Sequence, residues 1–121
     1  MSHLLSRVMS AATASYAVFA LAKPEHLANA MEADPDEREF YDSLARGYGV
    51  RDLAIGALGI AGPASAVPAA MGLRIASDLA DAAILAVRAP DRTIRAKVLG
   101  VTLGWAALNA AALAADRRRA A

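Results

Sequence analysis

Three stretches of the chain carry no charged residue: Val8–Ala22 (15 residues), Leu53–Leu73 (21 residues) and Val98–Ala115 (18 residues). None offers the polar outer face that a helix of a soluble bundle turns toward water. A helix that is apolar all round must be covered by protein or by lipid, and 121 residues cannot enclose three of them. The expected fold class is therefore all-α, a four-transmembrane-helix bundle with up-down connectivity.

The count of four comes from splitting the longest run. Gly62-Pro63-Ala64-Ser65-Ala66-Val67-Pro68 lies inside it. Two prolines with a glycine before the first break a helix, and Pro68 suits the first turn of the next one. The spacing predicts helices over 4–22, 42–61, 67–88 and 94–115, an acidic loop over 23–41, and one membrane domain over 1–121. A bilayer core needs about 20 apolar residues, so the first helix reaches back through Leu4, Leu5 and a snorkelling Arg7. Arg7, the apolar stretch and Ala20-Leu21-Ala22 also imitate a secretory signal. An uncleaved first helix is expected, because it supplies a fourth packing partner.

Composition sharpens the argument mainly by exclusion. Apolar residues make up 57% of the chain, but 33 of them are alanine, against 28 Leu, Ile, Val and Phe together. Alanine favours helices and inserts weakly into membranes, so the uncharged runs carry the membrane argument. Cysteine is absent, which excludes disulfides, thiolate metal sites and cysteine nucleophiles. His3 and His26 lie too far apart to make a metal motif, and no metal or cofactor is expected. A net charge of +1 gives no general attraction to nucleic acid. The loop and its flanks, Lys23 to Arg46, hold seven acids and three bases and read as a solvated connection with a short helical piece over Asp36 to Leu44.

Charges inside the predicted spans are the informative feature. Arg51 and Asp52 fall in the second helix; Arg74, Asp78 and Asp81 fall along the third, within about 60° of one another on one face. An antiparallel hairpin brings the two groups to similar depth. An intramembrane Arg or Asp costs about 2.5–3.5 kcal/mol, or roughly 8–10 kcal/mol for the third helix, while its apolar residues return about 3–4 kcal/mol. That helix needs the second beside it, with the charges paired and turned inward. Two arginines against three aspartates leave −1, so one carboxylate lacks a base. Arg51 is expected to face the net-negative stripe, Asp52 to turn toward Arg74 or the next helix, and Asp81 to be left unpaired.

Glycines surround these positions. Gly47, Gly49, Gly56 and Gly59 mark the second helix, and Gly100 and Gly104 form a G-x-x-x-G in the fourth; all six are expected to let helices pack closely. Asn109 is expected to bond between helices, and Trp105 to pack or to anchor at the membrane interface.

The string Arg46-Gly47-Tyr48-Gly49-Val50-Arg51-Asp52-Leu53-Ala54-Ile55-Gly56 resembles the G-x-R-D-x-x-x-G signature of small bacterial four-helix integral membrane proteins of unknown function, the DUF4267-like group, broadly similar to DoxX-type bundles. Lys23-Pro24-Glu25 and Asp78 to Asp81 resemble the group's proline and acidic positions, so the likeness covers roughly 5–115. One departure is Ala96-Lys97, where the resemblance implies a histidine. The resemblance implies a multi-pass fold in the bacterial inner membrane and no particular activity.

The functional expectation is a structural or interaction subunit held together by the Arg/Asp network, with the lipid bilayer and either a second copy or a membrane subunit as partners. The alternative is a proton-linked small-molecule transporter or membrane redox accessory protein that uses the network as its site. An enzyme is the least favoured class. Seven bases in the two connections on one side against four at the chain ends lean toward both termini outside, and Arg7 before the first helix pulls the other way.

Overall fold

The computed structural model describes residues 2–120, and among these every regular element is helical. The order is α1 (Leu4–Ala22), α2 (Glu25–Ala30), α3 (Arg38–Ala61), a 3-10 turn (Ala64–Ala66), α4 (Val67–Arg88) and α5 (Arg92–Ala120). The four long helices run up and down in sequence.

Local chemistry sets the turns. Gly62 ends α3 at a point where a side chain would strike the Leu58 carbonyl, so only glycine closes that end without a shift. Pro68 sits in the first turn of α4, where no helical N–H partner is lost. Ala89 is extended, as a residue before proline prefers, and ends α4. Asp91 then accepts from the Ile94 N–H at 2.8 Å and starts α5.

Two differences from the sequence reading stand out. The segment expected as a solvated loop over 23–41 contains α2, and α3 begins at Arg38 rather than at 42. Leu27, Ala28 and Met31 are buried there with Tyr41, Ala45, Leu85, Ile94 and Val98, so this segment plugs one end of the bundle. Helix α5 also runs on past 115, with Arg117, Arg118 and Arg119 in its last turn, where cations favour the helix dipole.

The packing is graded from end to end. Val67, Met71 and Ala112 form a second apolar cluster, backed by Leu5, Met9 and Leu113. Between the two clusters the interior is polar. Helix α1 turns Ser6, Ser10, Thr13, Ala17 and Ala20 inward, a stripe of small residues spaced three or four apart. Gly49, Gly56 and Gly59 of α3 fit against it: a Cβ at Gly56 would lie 2.9 Å from the Ala14 Cβ, and one at Gly49 would lie 2.8 Å from Leu21. Arg7 donates to the Ile60 carbonyl at 2.7 Å, and Asp116 accepts from the Leu5 and Ser6 N–H groups at 3.2 and 2.7 Å. A cation thus meets the end of α3 and an anion the start of α1, each with the dipole it favours.

Large apolar side chains lie on the outside of the long helices and several polar ones inside. Val8, Val18, Leu53, Leu73, Leu79, Val101 and Leu108 face outward while Arg74, Asp78, Asp81 and Asn109 are buried. Helices α1 and α5 are long and apolar enough to cross a membrane. Arg51 and Asp52 keep α3 more polar, and Arg74, Asp78 and Asp81 do the same for α4.

Candidate functional site: an ionic chain at the floor of a cavity

Arg51, Asp52, Arg74, Asp78 and Asp81 meet in a single chain of alternating charge. Arg51 grips both oxygens of Asp81, with Nη1–Oδ1 at 2.8 Å and Nη2–Oδ2 at 2.7 Å, the planar fork matching the carboxylate. Its Nε donates to Asp52 Oδ1 at 2.8 Å. Arg74 pairs with the same Asp52 oxygen and donates from Nη2 to Asp78 Oδ1 at 2.8 Å. The order is Asp81, Arg51, Asp52, Arg74, Asp78, crossing from α4 to α3 and back. Arg51 also lies over the Tyr48 ring, 4.6 Å from its centroid.

The positions follow from helix geometry. Arg74, Asp78 and Asp81 are separated by four and three residues, so they share the inward face of α4; they are 3%, 5% and 7% exposed. Arg51 and Asp52 point about 100° apart from their backbones. The length of the arginine closes that angle, and both adjacent residues engage α4, Arg51 through Asp81 and Asp52 through Arg74, the first of the two directions expected for Asp52.

The unpaired carboxylate is a different one from that expected. Asp81, read from the sequence as lacking a base, is the most fully paired acid of the chain. At the other end, Asp78 Oδ2 is buried with no hydrogen-bond partner, and so are Arg74 Nε and the Tyr48 hydroxyl. Buried polar atoms without partners are uncommon and need a physical explanation.

A cavity of about 910 Å³ supplies the context. Asp52, Arg74, Asp78 and Asp81 line its floor; Ala20, Leu27, Ala45, Leu85, Ile94 and Val98 line its walls. Trp105 donates from Nε1 to Thr13 Oγ1 at 3.1 Å, joining α5 to α1 beside it. Near the mouth, His26 Nε2 and the Tyr16 hydroxyl are 2.8 Å apart, and His26 Nδ1 lies 2.9 Å from the Lys23 carbonyl. Sequence reasoning missed Thr13, Tyr48 and this Tyr16–His26 link. Ser6, Ser10 and Thr13 at helical spacing were the available signal for the first.

The other singled-out residues divide. Gly49, Gly56 and Gly59 are packing positions, whereas a Cβ at Gly47, Gly100 or Gly104 would meet nothing within 4 Å. The Gly100/Gly104 pair therefore makes no close helix contact within this chain. Asn109, expected to bond between helices, donates to the Trp105 carbonyl of its own helix at 2.8 Å, and its side-chain oxygen has no partner. No group of His, Asp and Glu among the described residues has metal-holding geometry.

No family model matches the chain, and neither a curated protein nor a solved structure is similar to it at a significant level.

Proposed function

We propose that this chain is a multi-pass protein of the bacterial inner membrane, its four long helices spanning the bilayer around a small-molecule site whose floor is the Arg51–Asp81 ionic chain. The observation that carries the reading is the cavity of about 910 Å³ that ends on Asp78, whose Oδ2 is buried and unpartnered. A network serving stability alone has no need of an adjoining space of ligand size, and such pockets, apolar with a few convergent polar groups, are the usual form of small-molecule sites. This favours the transporter or accessory-protein class over the purely structural subunit. The ties between α3 and α4 still hold the bundle together, so the network has both roles.

The membrane part of the proposal rests on the apolar outer surface. Apolar side chains face outward along all four long helices, while the charges that would oppose insertion of α3 and α4 are turned inward and paired. Membership of the DUF4267-like group belongs to the same proposal, on the Gly49-Val50-Arg51-Asp52 core.

Two measurements test it. The chain should stay with the membrane pellet through an alkaline carbonate wash; release into the soluble fraction would refute the membrane reading. The natural chain has no cysteine, so Ala45→Cys and Ala70→Cys each introduce a single thiol. Both positions are buried, and only Ala45 lines the cavity. A small membrane-permeant methanethiosulfonate should modify Cys at 45 much faster than Cys at 70. Equal inertness would mean that the cavity does not admit small molecules.

A further inference from the structure

We infer that the cavity takes a lipophilic organic monocation, an ammonium group on an apolar body, that arrives sideways from the bilayer through the gap between α1 and α5. The inference rests on the reading of the cavity as a ligand site and adds its occupant and its path.

The charge of the occupant follows from the ionic chain. Two guanidiniums and three carboxylates leave one negative charge, and the hydrogen bonds locate the deficit at Asp78: Asp81 has both oxygens held by Arg51, Asp52 is shared by both arginines, and Asp78 has one oxygen bound and one free. A buried carboxylate oxygen without a donor is costly, and an ammonium N–H supplies the donor and the missing charge together. Other charged or titratable groups facing the space leave the deficit in place. Glu32 and Lys97 are exposed and of opposite sign, Tyr16 and His26 bond one another, and Tyr48, whose hydroxyl has no partner, is a neutral phenol. An oxygen beside the ammonium, or a water, accepts from Arg74 Nε. The walls above are aliphatic, which selects an apolar body.

The path follows from the exposed part of the lining. Leu27 and Met31, in and just after α2, are buried over the end of the bundle, while Asn29, Ala30 and Glu32 beside them are exposed and line the cavity, so this segment forms one edge of its mouth. Tyr16 of α1 and Ala96, Lys97, Gly100 and Val101 of α5 also line the cavity and are exposed, so the mouth lies between α1 and α5 with the α2 segment along its edge. Trp105 on Thr13 closes the same gap deeper in. Gly100 lies about 12 Å along α5 from Arg92, at the start of the helix. A side chain there would meet nothing inside the protein, so glycine leaves the gap open.

Trp105 is the sole tryptophan and lines the cavity, so its emission reports occupancy of the full-length chain in detergent and in liposomes. The probes are 1-aminoadamantane, 1-adamantanol and 1-adamantanecarboxylate, which share a body and differ in the head group. The amine should shift Trp105 emission saturably, with the alcohol and the carboxylate at least about tenfold weaker. Asp78→Asn should abolish the preference for the amine over the alcohol, and Asp78→Glu should keep it. If the Asn variant does not fold, the three probes on the natural chain decide the matter. A Trp105→Phe, Leu108→Trp variant, with its indole on the outward face, should show no saturable change. Gly100→Leu should slow the onset of the shift in liposomes.

Equal binding of alcohol and amine would overturn the cation assignment and leave the cavity reading standing. No shift with any probe, together with a reactive Cys at 45, would overturn the occupant alone; no shift and an inert Cys would overturn both readings. An unchanged onset in Gly100→Leu would overturn the lateral path.

Discussion

The strongest test of the ionic chain as a tie between helices is Arg51→Ala. Arg51 makes two bonds to Asp81 and one to Asp52, while Asp52 keeps a second partner in Arg74. The variant therefore leaves Asp81 as an uncompensated carboxylate with a 9% exposed side chain, and the cluster moves from −1 to −2. Breaking a buried pair by removing one partner costs about 3–5 kcal/mol. The Arg51 side chain is 29% exposed, so solvent screening lowers the expectation to about 2–4 kcal/mol. Reversible unfolding in mixed detergent micelles, followed by helical circular dichroism, measures the loss. The cycle with Asp81→Ala isolates the pair: the double variant should be more stable than the sum of the single losses predicts, by about 1–3 kcal/mol. The exchange Arg51→Asp with Asp81→Arg should recover more stability than either half alone. A single-variant loss below about 1 kcal/mol, or additive losses in the cycle, would refute the tie.

Three further outcomes follow from the packing. Gly56→Val should destabilise by about 1–3 kcal/mol, because the new side chain meets Ala14 and the Ser10 carbonyl; Gly104→Ala, with open space at its Cβ, should be neutral or stabilise by up to about 1 kcal/mol, both read from the same unfolding curves. Asp116→Ala should cost about 1 kcal/mol by leaving the Leu5 and Ser6 N–H groups without their anion, and a loss equal to that of Arg117→Ala on the exposed side of α5 would refute that cap.

How far the sequence reading reached depended on the kind of information each feature needs. Long uncharged runs and proline-bearing turns are local properties of the chain, and they suffice for the helical architecture and for α1 and α4. The depth match of Arg51 and Asp52 with Arg74, Asp78 and Asp81 needed only residue counts from one turn. Helix α2 lies beyond such reasoning because six residues are too few for a hydrophobic period, and its burial depends on Tyr41, Leu85 and Ile94 from three other segments. Rotation about a helix axis is the second missing quantity. The G-x-x-x-G of Gly100 and Gly104 says that one face is smooth, but not whether that face meets another helix, and here a Cβ at either position would meet nothing within 4 Å. Arginine reach is the third: about 100° between neighbouring Cβ directions is easily spanned by a long side chain, so the unpaired acid moved from Asp81 to Asp78.

The cavity itself was not legible for a related reason. It is an excess of space, and space is set by the difference between backbone separation and side-chain volume. Close approach of α1 to α3 follows from residues that the sequence displays, Gly49, Gly56 and Gly59 against a stripe of Ser and Ala. Ala45 of α3 and Ala20 of α1 are equally small and border the cavity, whose width is set by the bidentate Arg51–Asp81 pair between α3 and α4 and by Trp105 on Thr13 between α1 and α5. Small residues between fixed spacers leave a void, and where the spacer is a charge chain with one free oxygen, the void ends on an unsatisfied acceptor. The same side chains thus hold the bundle open and place Asp78 at its floor, so a variant that removes a spacer should shrink the cavity as well as loosen the fold. Trp105→Ala separates these effects, since it deletes the spacer at mid-depth and leaves the ionic chain untouched: modification of Cys at 45 should slow while membrane retention persists, and unchanged reactivity would refute the role of Trp105 as a strut.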